Sequence, residues 1–159
     1  MSRTVATRVI QAPVATVFNT VADVRQLAQA LPVITNVEFL TSTTSGVGTR
    51  YRQTRGTDSR AATYEMEVTE FVPNDHVRIV TQPGGTVWDS VFSVTPAGAD
   101  RTALTLAMEG HTTRLLSRLL NFMNGGMLRR AIESDMDKIA AYCERIAGEA
   151  ATPADGRSG

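Results

Sequence analysis

Two periods run through the apolar and polar positions of this chain, dividing it into a strand-rich body and a helical end. Thr4 to Ile10 alternates apolar with polar residues and reads as a strand. Gln11-Ala12-Pro13 then opens a helix, since proline is tolerated in a first turn. Val14, Val17, Phe18 and Val21 follow at i, i+3, i+4 and i+7, which lays them on one helical face. Asp23 is placed to cap a second short helix through Leu27 to Leu31, which Pro32 ends. Strand-like segments then succeed one another: Thr35 to Ser42, Thr49 to Arg55, Ala61 to Phe71, Val77 to Gln82, Thr86 to Thr95 and Arg101 to Glu109. Between them stand turn signals such as Ser45-Gly46-Val47-Gly48, Pro73-Asn74-Asp75, Pro83-Gly84-Gly85 and Pro96-Ala97-Gly98, and Gly110 closes the last. Consecutive strands with short turns predict an antiparallel meander. Its clearest alternation sets Leu104, Leu106 and Met108 against Thr105, Ala107 and Glu109, one face buried and the other wet.

The period changes at His111. From Leu128 on, Leu128, Ile132, Met136, Ile139, Cys143 and Ile146 share one helical stripe. Arg129, Glu133, Asp137 and Glu144 fall on the far side, so this is an amphipathic helix resting on an apolar support. Leu115, Leu116, Leu119, Phe122 and Met123 are helix-periodic too. At about 100° per residue, however, their stripe points away from the later one. Asn124-Gly125-Gly126 lies between, and paired glycines invite a kink. The expectation is a long terminal helix bent at Gly125-Gly126, its first half moving as a lid. Gly148 to Gly159 reads as a disordered tail, leaving residues 1–147 as a single domain.

The element order β-α-α-β6-α, with about seven strands, predicts an α+β fold in which a curved antiparallel sheet wraps a long C-terminal helix. Such a sheet seldom closes completely on its helix, so an internal cavity is expected between them, open at one end.

Composition narrows the function classes. The chain has 159 residues, and 16 basic side chains balance 16 acidic ones, which disfavours a nucleic-acid binder living on electrostatics. A single cysteine, Cys143, rules out a disulfide within the chain and suits a reducing compartment. No apolar run approaches the roughly 20 residues of a transmembrane helix, and no signal-peptide core follows Met1. A cytoplasmic protein, monomer or homodimer, is the expectation.

Ordered motifs then point to a family. Val9 to Phe18, with Ile10, Ala12-Pro13 and Val17-Phe18, resembles the opening of the polyketide cyclase/dehydrase-like group in the SRPBCC (START-like, birch-pollen-allergen-like) superfamily. Asp23, Leu27 and Pro32 match its next motif, with Ala30 or Leu31 where tryptophan is usual. Gly46-Val47-Gly48-Thr49-Arg50-Tyr51-Arg52 is similar to a third, with Tyr51 for the common tryptophan. Glu67-Val68-Thr69-Glu70-Phe71-Val72-Pro73 resembles a fourth, and the likeness spans about residues 4 to 147. The resemblance implies a helix-grip fold. It does not name a substrate, because the superfamily includes lipid carriers, hormone receptors, aromatase/cyclases and chaperone activators.

The residues expected to meet a ligand come from the sheet's inner face and the helix stripe. They are Tyr51, Tyr64, Met66, Trp88, Phe92, Leu106 and Met108 from strands, and Met123, Leu128, Ile132 and Met136 from the helix. Trp88, the only tryptophan, either lines the cavity mouth or is an ordinary core aromatic. Tyr51 and Tyr64 could each offer a hydroxyl or simply pack. Two catalytic candidates stand out. Asp135, at the edge of the helix stripe, is either an acid or base facing the cavity or part of a helix-edge salt bridge, for instance with Arg130 or Lys138. His111 precedes the long helix, close to a cavity entrance. His76 belongs to a surface hairpin. Two distant histidines and one helical cysteine make no metal set, and no cofactor motif is present. Arg50, Arg52, Arg55 and Arg60, facing Asp58, Glu65 and Glu67, read as a paired, solvated sheet surface.

Three functions follow as expectations. The first is binding of a small, mostly apolar molecule: a lipid, a polyketide or an aromatic metabolite. The second, implied by the family name, is an aromatase/cyclase or dehydratase using the same cavity. The third is an interaction protein presenting its cavity edge to a partner.

Overall fold

A computed structural model of the chain describes residues 2–81, 86–112 and 125–151. Strand β1 (Ser2–Ile10) leads into helices α1 (Val14–Ala22) and α2 (Val24–Ala30). Six strands follow: β2 (Ile34–Phe39), β3 (Arg50–Arg55), β4 (Ala62–Val72), β5 (His76–Thr81), β6 (Thr86–Gly98) and β7 (Arg101–Thr112). Helix α3 (Gly125–Ala151) closes the described chain. This is the order β-α-α-β6-α expected from the hydrophobic pattern, with strand limits moved by a few residues. Strand β6 runs on through Pro96 to Gly98, and β7 runs through Gly110 and His111 instead of stopping before them. Helix α3 reaches Ala151, so the first four residues expected in the tail, 148–151, are helical. The segment from Leu115 to Met123, and with it the kink and lid expected there, lies outside the described residues. Gly125 and Gly126 begin α3 as described.

All pairings are antiparallel, and the sheet order is β1-β7-β6-β5-β4-β3-β2. The first strand therefore pairs with the last, and α1 and α2 carry the chain from one edge of the sheet to the other. Register shifts between Ile34 and Asn36, Val68 and Glu70, and Pro96 and Gly98 insert extra residues that raise local twist and bend the sheet.

The helices are held by the faces their patterns define. Val17, Phe18 and Val21 of α1 are buried, and Phe18 meets Phe71 edge-on at 5.3 Å between ring centroids. The Asp23 carboxylate accepts from the Arg25 backbone N–H at 2.9 Å, capping α2 as its position predicts. On α3, Ile132, Met136, Ile139 and Cys143 are buried against β1 and the two short helices. The polar side of α3 is also tied down. Arg8 Nε donates to Asp137 at 2.7 Å, and the Gln11 N–H donates to Glu144 at 3.0 Å. Thr102, fully buried, donates to the Ala12 carbonyl at 2.7 Å and fastens the β1–α1 corner to β7.

The outer face is a solvated ladder. Arg50 pairs with Glu65 and lies 3.6 Å from Glu67, and Arg52 lies 3.9 Å from Glu38. That matches the paired surface expected for Arg50 and Arg52; Arg60 lies on the short turn Asp58–Arg60, where no ion pair holds it among the described residues. No helix among the described residues is long and apolar enough to cross a membrane.

Candidate ligand-binding site

Because side chains alternate across a strand, one rung of the sheet can be followed over five strands: Tyr51, Met66, Thr81, Trp88 and Gly110 stand opposite one another in turn. All face α3. Above them the sheet's curvature leaves a cavity of about 890 Å³. The sheet supplies Tyr51, Gln53, Tyr64, Met66, Ile79, Thr81, Trp88, Ser90, Phe92, Leu106 and Met108. The α2 end supplies Leu27, Leu31 and Val33, and α3 supplies Leu128, Ile132 and Ile139. Exposed Ala131, Ser134 and Lys138 of α3 place the rim along that helix.

Nine of the eleven residues expected to meet a ligand line this cavity: Tyr51, Tyr64, Met66, Trp88, Phe92, Leu106, Met108, Leu128 and Ile132. Met136 does not. It is wholly buried in the core, because it points at the sheet under the helix while the stripe edge at Asp135 points at the cavity. Met123 lies outside the described residues.

Trp88 fits there because Gly110 is opposite. A Cβ on Gly110 would sit 2.9 Å from the indole Cζ3, so the ring lies flat over a residue with no side chain.

Asp135 lines the cavity, but its partner is neither Arg130 nor Lys138. Arg55 Nη2 donates to its carboxylate at 2.6 Å, reaching across from β3. Arg55 is the exception among the sheet arginines. It shares the inward parity of Tyr51 and Gln53, whereas Arg50 and Arg52 point out. Helix and strand are thus bridged at the rim by an ion pair about two-thirds to four-fifths shielded. His111 is not a loop residue preceding the helix. As part of β7 it stands opposite Val87, on the outer face with Glu109, whose carboxylate is 3.9 Å away. It does not line the cavity, so the structure separates the two catalytic candidates.

The polar groups of the cavity wall are sparse. The Tyr51 hydroxyl is buried, and burial, aided by the charge of Asp23, pushes its pKa well above the ordinary phenol range. It stays a neutral donor at physiological pH. Gln53, Thr81 and Ser90 of the wall are also buried. Polarity hides Gln53 and Thr81 from a search for apolar wall residues, whereas strand parity reveals them: each lies two residues from an inward-facing neighbour, Tyr51 and Ile79. Cys143 is apart from the cavity, fully buried under α3, and burial raises its thiol pKa, which leaves it unreactive. Among the described residues no cluster of three His, Cys, Asp or Glu side chains could hold a metal ion.

Comparison with known proteins agrees with this geometry. Residues 1–145 match the family model described as "Polyketide cyclase / dehydrase and lipid transport". No curated protein matches the chain in sequence. Among solved structures, a protein from Thermus thermophilus is similar with a TM-score of 0.73 at 18% identity, over 92% of this chain and 99% of that one. A START superfamily protein from Mycobacterium smegmatis gives 0.67 at 16%, over 93% and 98%. Norcoclaurine synthase from Thalictrum flavum, in complex with dopamine and hydroxybenzaldehyde, gives 0.69 at 13%, over 93% and 87%. At these identities the likeness is one of fold: the helix-grip architecture expected for the chain.

Proposed function

The chain belongs to the polyketide cyclase/dehydrase and lipid transport family, and from that premise we propose that it binds one small, mostly apolar molecule between the sheet and α3. The observation that carries this is the cavity itself. Its volume of about 890 Å³ lies within the roughly 300–1,000 Å³ of ordinary small-molecule sites. Its wall is built from Leu, Ile, Met, Phe, Tyr and Trp side chains with few polar groups, the composition that favours an apolar ligand through surface burial. The same fold accommodates small aromatic molecules in norcoclaurine synthase. A cytoplasmic setting, suited to the single buried thiol of Cys143, and a monomeric or homodimeric state complete the proposal; solution mass tests the latter.

Equilibrium dialysis with a neutral apolar dye, N-phenyl-1-naphthylamine, tests binding. The expected result is one saturable site per chain, with the dye displaced competitively by other apolar molecules. Absence of saturable binding would end the proposal.

One observation favours a second reading, an enzyme of the cyclase or dehydratase type: Asp135 places a carboxylate on the cavity wall. Its pairing with Arg55 weighs towards an anchoring role. Asp135→Asn separates the two. A general acid or base loses turnover of a poly-ketone by about 10²–10⁴ while affinity is nearly kept. A binder has no turnover to lose, and its affinity moves by less than about tenfold.

A further inference from the structure

Four side chains on the cavity wall are polar and more than nine-tenths buried. Tyr51 is 2% exposed, Gln53 3%, Thr81 7% and Ser90 9%. Each lines the cavity. None of the four side chains has a hydrogen-bond partner among the described residues, although other buried polar side chains of the molecule do: Thr102 donates to Ala12, Thr20 to Thr16 and Thr49 to Gly46. Buried polar groups are ordinarily paired, because leaving one unmet costs free energy. A wall meant only for hydrocarbon would carry Phe, Leu and Val at these places at no loss of packing.

The placement is ordered. Tyr51 and Gln53 are successive inward residues of β3. Thr81 on β5 and Ser90 on β6 sit two and three strands away, with Met66 of β4 in the same rung as Tyr51 and Thr81. Together they offer phenol, amide and alcohol groups that donate and accept, and none carries charge. The charged residues of the described wall are Arg55, Asp135 and Lys138; Arg55 is the next inward residue of β3 after Gln53, and its charge is already met by Asp135.

We infer that Tyr51, Gln53, Thr81 and Ser90 form a neutral polar subsite, and that the ligand is an uncharged hydrocarbon frame bearing a ketone or hydroxyl oxygen rather than a bare hydrocarbon or a carboxylate. This rests on the proposed cavity binding and narrows its ligand class. A ligand oxygen meets these groups while the frame fills the apolar remainder. Gln53 can donate to a ketone or accept from a hydroxyl, and Tyr51 donates to either.

A matched set of displacers tests this: naphthalene, 2-naphthol and 2-naphthoate, competing against bound N-phenyl-1-naphthylamine at neutral pH. A purely apolar wall ranks naphthalene first, because a hydroxyl costs desolvation and gains nothing there. The subsite reverses that order, with 2-naphthol tighter than naphthalene by about tenfold, the worth of one or two net hydrogen bonds, and 2-naphthoate weaker than 2-naphthol. Gln53→Leu and Tyr51→Phe should each reduce the preference for 2-naphthol severalfold while naphthalene binds as before. Naphthalene equal to or tighter than 2-naphthol in the wild type, with the dye still displaced, overturns the subsite and leaves the cavity reading intact. Naphthoate binding tightest overturns it in favour of the cationic rim. Variants that both keep the full preference overturn the assignment to these residues; if one fails to fold, the other and the wild-type ranking still decide. Failure of the dye to bind removes both readings together.

Discussion

At the scale of single residues, the closest fit in the site is between Trp88 and the absent side chain of Gly110. Gly110→Ala places a Cβ 2.9 Å from Cζ3 and 3.1 Å from Cη2 of the indole, too close for the ring to stay. The ring must swing into the cavity, or the strands must separate. The expected outcome is a shifted Trp88 emission, a loss of stability of about 1–3 kcal/mol as for other overpacked sites, and weaker dye binding. Unchanged fluorescence and affinity would mean that the indole does not rest on Gly110. A second residue-scale expectation concerns pH. His76, at the start of β5, has its pKa raised above 6.5, chiefly by the hydrogen bond with Asp75, with the nearby charges of Asp75 and Glu70 adding to it against partial burial. The folded-state value lies above the unfolded one, so its stabilising contribution is complete below about pH 6.5 and fades as pH rises through the folded value. The stability difference between wild type and His76→Gln should therefore shrink from pH 6 towards alkaline conditions. A constant difference across that range would exclude the pairing in solution.

At the scale of elements, α3 does two things on two sides, and substitutions should separate them. Met136 is fully buried and off the cavity, so Met136→Ala should cost about 2–5 kcal/mol in denaturant unfolding with little change in ligand affinity of the folded protein. Leu128 is partly exposed and lines the cavity, so Leu128→Ala should cost less stability and more affinity. The reverse ranking would place the site elsewhere. The Arg55–Asp135 pair ties β3 to α3 at the rim. Being only partly shielded, it is expected to couple by about 1 kcal/mol in a double-mutant cycle, between exposed and buried pairs. The helix stripe, the alternation of β7 and the Asp23 cap follow from local periodicity, and all appear in place. Pairing of β1 with β7 and the reach of Arg55 to Asp135 join residues 80 or more positions apart, which no local pattern encodes. Charge alone groups Arg55 with Arg50 and Arg52, but its parity on β3 sets it with Tyr51 and Gln53. Gly110 reads as a strand end that leaves His111 outside the sheet; the glycine is instead a strand position kept bare for the Trp88 ring.

At the scale of the whole molecule, an open sheet bent by three register shifts, with its first strand paired to its last, leaves a cavity beneath α3. The family model and the similar solved structures describe this same architecture. The central claim is that this space takes a ligand, and the chain carries its own reporter, since its only tryptophan is on the wall. N-phenyl-1-naphthylamine absorbs where tryptophan emits, so a dye molecule seated beside Trp88 must quench it by energy transfer. The most direct measurement is therefore a titration of the protein with this dye, reading Trp88 emission and dye emission together. The expected result is near-complete loss of Trp88 emission, saturating at one dye per chain in step with the rise of dye emission, and its recovery when a non-absorbing apolar competitor is added. Dye that fails to saturate, or that binds while Trp88 emission persists, would contradict a ligand site in this cavity.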